Sequence, residues 1–136
     1  MSDAQTRLSA ALQSTSCRRV SLDGEWYFSF ENEAVLRAGC LWRLVVKQRV
    51  VLSSRDHGQI FGLKSPIDAA QEAMRILAGK QVTAVVLETG TADVKIQLAD
   101  GTKLELLNDS SGYEPWGFSS KAVTLVATAG GDVFPT

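Results

Sequence analysis

The same ordered set of anchor residues occurs twice in this chain, and that constrains its fold more than any local propensity does. Phe28, Phe30 and Leu36 match Ile96, Leu98 and Leu104 at an offset of 68 residues. Trp42, Leu44, Lys47 and Val51 match Trp116, Phe118, Lys121 and Leu125 at an offset of 74. Gly58, Ile60 and Phe61 match Gly131, Val133 and Phe134 at 73. The six extra residues of the second copy lie within 107–115. A single β-meander leaves its apolar face in water, so two of them must close on each other. The expectation is an α+β fold: two similar antiparallel β-meander repeats in the order ββββ–α–ββββ, joined by one central helix. A short N-terminal helix precedes them.

Local signals place the parts in one domain over 1–136. Residues 1–16 read as a short helix, with Ser2 as cap, Asp3 at its positive end and Leu8, Ala11 and Leu12 on one stripe. Repeat one covers 18–62. Asp23-Gly24 signals a tight turn, and Trp26, Phe28 and Phe30 alternate with Tyr27, Ser29 and Glu31 as in a half-buried strand. Lys47-Gln48 reads as a bulge within the meander. Residues 65–78 read as a helix, with Ser65 as cap, Pro66 at its first position and Gly79 as its stop. Repeat two covers 82–134, with Asp100-Gly101 as a hairpin turn matching Asn32-Glu33. Asn108 to Pro115 forms a polar loop.

At 136 residues the chain can bury a core without disulfides or metal. Its net charge of −1 argues against bulk electrostatic binding of nucleic acid. Residues 1–60 carry eight Lys/Arg against six Asp/Glu, and residues 61–136 carry six against nine. This asymmetry suggests a mildly basic half and a mildly acidic one. Cys17 and Cys40 are too few for a disulfide scaffold, although a bridge between them is one option. Cys40, beside Leu41 and Trp42, reads as a small apolar residue. Neither a signal peptide nor a stretch of roughly 20 apolar residues appears. The expectation is a cytoplasmic protein without membrane contact.

Catalytic signatures are missing. His57, the single histidine, follows Asp56 directly, and neighbours on a strand point to opposite faces. One histidine and two distant cysteines do not make a zinc site. There is no Gly-x-Ser-x-Gly and no phosphate-binding glycine loop. No catalytic residue, metal ligand or cofactor is therefore expected; a small enzyme using paired carboxylates, such as Glu105 with Asp109 or Glu114 with Asp109, is a further alternative. The polar loop is the leading candidate for function, because the two copies differ there and loops on a rigid sheet often carry binding. Asp109, Tyr113 and Glu114, with Glu105 nearby, combine acceptors with an aromatic ring, as interface hot spots do. An alternative face for a single-stranded nucleic acid or small ligand consists of Tyr27, Arg43 and Lys47, with Trp26 to stack bases. Trp42 and Trp116 read as core anchors.

Leu98-Ala99-Asp100-Gly101, Leu104-Glu105-Leu106, Tyr113-Glu114-Pro115-Trp116 and Gly130-Gly131 together resemble a pattern in small bacterial domains found beside secreted toxins. Those domains are regarded as immunity proteins of polymorphic or contact-dependent toxin systems. The resemblance covers about a third of the chain. It implies a non-enzymatic protein that neutralises a cognate toxin by occupying its active face. Many such proteins are markedly acidic, whereas this chain is nearly neutral. The ββββ–α–ββββ order is also similar to the Whirly-type fold, which can bind single-stranded nucleic acid.

Overall fold

The computed structural model describes residues 3–136. It is an α+β fold of two antiparallel sheets and two helices, in two halves joined by the central helix. The first half runs α1 (Asp3–Leu12), β1 (Cys17–Asp23), β2 (Glu25–Phe30), β3 (Val35–Ala38), β4 (Leu41–Val46) and β5 (Arg49–Ser53), then a 3-10 turn over Ser54–Asp56. The second runs α2 (Ala69–Leu77), β6 (Val82–Leu87), β7 (Val94–Leu98), β8 (Lys103–Leu107), β9 (Trp116–Ser119), β10 (Thr124–Ala127) and β11 (Val133–Pro135). Five strands thus precede the central helix and six follow it, against the expected four and four.

Each sheet takes strands from both halves. The first is ordered β1-β2-β3-β9-β10-β11 and the second β5-β4-β8-β7-β6. Each half therefore builds a three-stranded meander in one sheet and crosses to extend the other. Two buried rows cross the sheets. Val20, Phe28, Leu36, Phe118 and Leu125 lie side by side across the first sheet. Val85, Ile96, Leu104, Leu44 and Leu52 do the same across the second. Trp42 meets Trp26 and Phe28 edge-on at centroid distances of 5.1 and 5.3 Å, so the sheets pack face to face. Because the halves interleave, the basic and acidic halves of the sequence do not sort onto separate faces.

The helices close the open sides of this sandwich. α1 packs against β6 and β11, and α2 against β1 and β5. Leu8 and Leu12 of α1, and Ala69, Ala73 and Leu77 of α2, are buried. Near Ser16 and Gln81 the halves meet in an isolated bridge. There Glu31 N–H donates to Ser16 O at 3.0 Å and Ala99 N–H to Gln81 O at 2.9 Å.

Several local expectations change. The capping role of Ser2 falls outside the described residues. α2 starts at Ala69 with Asp68 as its cap, not at Ser65-Pro66. Ile67 is held in a loop instead, its N–H donating to Gln59 O at 2.8 Å and its carbonyl accepting from Gly58 N–H at 2.8 Å. Lys47 and Gln48 are not a bulge. Both have positive φ, 51° and 66°, and form the two-residue hairpin turn between β4 and β5. The bulge lies at Leu44/Val45, and it puts Leu52 rather than Val51 in the buried row. Ile60 and Phe61 sit in an exposed loop, whereas Val133 and Phe134 belong to β11, so the third anchor group does not match in structure. Cys17 and Cys40 are free, buried thiols.

Candidate functional site

The polar loop over 108–115 is fixed at its root and folded upon itself. Asn108 N–H donates to Asp93 Oδ1 at 2.7 Å, and its side-chain amide donates to Thr91 O at 2.9 Å. Ser110 N–H donates to Asn108 Oδ1 at 3.3 Å. Ser110 Oγ then accepts from Gly112 N–H at 3.0 Å and Tyr113 N–H at 3.1 Å. At the far end, Pro115 O accepts from Gly39 N–H at 2.9 Å and Cys40 N–H at 3.1 Å, fastening the loop to the β3–β4 connection. Short polar side chains bonding backbone two or three residues on are what such a sequence offers in place of a regular ladder.

This loop holds Tyr113 79% exposed. The ring does not pack on Trp116, which is wholly buried and donates from Nε1 to Ala92 O at 2.8 Å. Beside Tyr113 opens a cleft of about 860 Å³. Trp26, Ala38, Cys40 and Leu41 supply apolar lining, and Glu25, Arg37, Arg55, Asp109 and Glu114 supply charge. A smaller cavity of about 330 Å³ adjoins it between Cys40, Asp109, Tyr113 and Glu114. A groove of about 420 Å³ over the outward face of the first sheet includes Tyr27, Val35, Arg37 and Val126, and ends at Glu114. Glu114 and the β3–β4 segment thus link three concavities.

Arg37 organises this region, and nothing in the sequence marked it. It stands on the outward side of β3, in a row running Ser21, Tyr27, Arg37, Gly117, Val126 and Phe134 across all six strands. Its Nη1 bonds both oxygens of Glu25, at 3.0 and 3.1 Å, while Nη2 lies 3.9 Å from Glu114 Oε2. The guanidinium lies across Gly117, where any Cβ would strike it. Arg55, from the 3-10 turn, is the second cation of the cleft.

Three of the four expected contact residues, Asp109, Tyr113 and Glu114, share one cavity; Glu105 does not join them. Leu104 and Leu106 face the core, so alternation sends Glu105 to the outward side of the second sheet. There it is buried beneath Arg43, whose Nε donates to Glu105 Oε1 at 2.6 Å. The alternative face is divided as well. Tyr27 is outward on the first sheet, Arg43 is outward on the second, and Lys47 sits in the β4–β5 turn, so the three do not form one surface. Trp26 is buried and cannot stack a base.

Burial pushes the Cys40 thiol up to about 12, with Asp109 adding to the effect, and pushes Cys17 up to about 11. Both stay neutral thiols near pH 7, poor nucleophiles. His57 Nδ1 accepts from Ala69 N–H at 3.1 Å and so helps start α2. Among the described residues, no three His, Cys, Asp or Glu side chains converge on one point. No helix among them is long and apolar enough to cross a membrane.

Comparison with known protein families, curated proteins and solved structures yields no match.

Proposed function

We propose that this chain is a non-enzymatic protein-binding module whose contact surface is the 108–115 loop with the adjoining cleft. One observation carries the reading: an aromatic side chain held 79% exposed on a loop that its own hydrogen bonds already order. An unsupported tyrosine in water costs free energy, and pre-ordering it removes much of the entropy lost on binding. The concave charged surface beside it gives a partner something to complement. Together with the motif resemblance, this favours a cytoplasmic immunity-type protein that occludes a cognate toxin. The matching registers of the two halves further support descent of both from one duplicated unit.

The test is co-expression with a toxin domain encoded beside this chain, followed by co-purification. The toxin should be neutralised, and Tyr113→Ala should weaken the complex by about tenfold or more, as hot-spot aromatics do. Unprotected cells and no co-purifying complex would sink the reading. A loop replaced by Gly/Ser that still binds with full affinity would remove the loop from it.

A second reading keeps a small-molecule role for the groove over the first sheet, where Tyr27 and Arg37 do lie together. Binding that survives loss of Tyr113 but not of Tyr27 would favour it.

A further inference from the structure

The charges of the cleft specify what kind of partner segment it takes. Asp109 is exposed and forms no ion pair among the described residues. Among the described residues, Glu114 has only the 3.9 Å approach of Arg37, whose other nitrogen is committed to Glu25. Four backbone donors around the smaller cavity are already used. Gly39 and Cys40 N–H both point to Pro115 O, and Gly112 and Tyr113 N–H both point to Ser110 Oγ. That cavity presents carboxylate acceptors and an aromatic ring. Arg55 is the reverse case: it lines the larger cleft, is exposed and forms no ion pair among the described residues.

Resting on the protein-binding reading above, we propose that the cleft takes a partner segment of mixed charge. A lysine or arginine side chain of that segment enters the cavity between Asp109 and Glu114, against the Tyr113 ring, and a carboxylate of the same segment meets Arg55. A cation on an aromatic face, held by two carboxylates, combines two attractions that reinforce each other once water is displaced. The cavity of about 330 Å³ has room for one long basic side chain. The segment's second charge sets its direction in the cleft, because a reversed segment would bring like charges together at both ends.

Two capped amino acids, acetyl-arginine amide and acetyl-glutamate amide, serve as probes in an amide NMR titration at low salt. The arginine probe should shift Gly112, Tyr113 and Cys40 with a dissociation constant on the order of millimolar, as a single weak contact allows. The double variant Asp109→Asn/Glu114→Gln should weaken that binding about tenfold, and added salt should weaken it further. The glutamate probe should shift Arg55 and leave the loop unchanged. Equal shifts in the double variant, or loop shifts that do not distinguish the probes, overturn the proposal. Full-affinity capture of a partner by the double variant, with Tyr113→Ala still defective, overturns the charge assignment and leaves the protein-binding reading standing. Absence of any toxin complex, with the arginine probe still titrating as expected, removes the toxin reading and supports the subsite.

Discussion

Trp42 and Trp116 hold equivalent places in the two halves, yet their indole nitrogens fare differently. Trp116 Nε1 donates to Ala92 O, while Trp42 Nε1 is buried with no partner among the described residues. A buried donor without an acceptor carries its desolvation cost uncompensated, whereas breaking a made bond strands the group left behind. Phenylalanine at either site removes similar volume from a fully buried position. At Trp42 it also removes the orphan donor, and at Trp116 it leaves the Ala92 carbonyl unsatisfied. Trp116→Phe should therefore destabilise the fold by about 1 kcal/mol more than Trp42→Phe in urea unfolding. Equal losses would show that the hydrogen bond contributes nothing beyond packing. Arg37 makes the complementary point: a strand residue of ordinary type becomes central because a glycine lies beside it on the neighbouring strand.

At the scale of elements, matching devices recur in the two halves with different chemistry. In the β2–β3 turn Ala34 N–H donates to Asn32 Oδ1 at 3.2 Å, and in the β7–β8 turn Thr102 N–H donates to Asp100 Oδ1 at 2.9 Å. The carboxylate adds an ion pair, with Lys80 Nζ 3.0 Å from Asp100 Oδ2. The Thr102 N–H first, and Lys80 second, lower the Asp100 pKa to about 2 from 3.8. The folded pKa is the lower one, so the stabilisation is complete above about 3.8 and is lost as pH falls towards 2. Half of the side chain faces water, which limits the effect to about 0.5 kcal/mol. Asp100→Asn should lower stability by that amount at pH 7 and converge with wild type near pH 2; a constant difference across this range would refute the assignment. The helices differ as well. α1 and the residue that follows it align Gln5, Ser9 and Gln13 with the edge of β6, bonding Thr83 O, Val85 O and Leu87 N. Four helical residues rise about 6 Å and two strand residues about 6.6 Å, so the stripe keeps step with the edge. This covers backbone groups that an open edge would offer to another chain.

Across the whole molecule, interleaving makes the halves interdependent. The meander of β1, β2 and β3 needs β9 to continue its sheet, and that of β6, β7 and β8 needs β4. Each helix seals an edge formed largely by the other half: α1 lies on β6 and α2 on β1. Residues 1–62 alone should therefore be unfolded by circular dichroism, and the full chain should unfold in one transition, with fluorescence and circular dichroism coinciding. A folded, monomeric 1–62 fragment, or two separate transitions, would contradict that dependence.

The sequence by itself determined the class of the fold, the alternating strands, the central helix, the Asx hairpins and the loop at which the two halves differ. These follow from short-range rules, with periodicity and turn chemistry acting within a few residues. Phe28, Leu36, Ile96 and Leu104 were legible as core because alternation alone sends them inward. The tertiary structure decided which strands share a sheet, and with that the fate of each outward charge. Glu105 was spent on Arg43, Tyr27 was parted from Arg43, and Arg37 was set between Glu25 and Glu114. Those outcomes depend on pairing between residues tens of positions apart, and outward positions carry no local signal of their neighbours. The cleft is a product of that pairing: its loop comes from the second half, while its floor and its two cations come from the first.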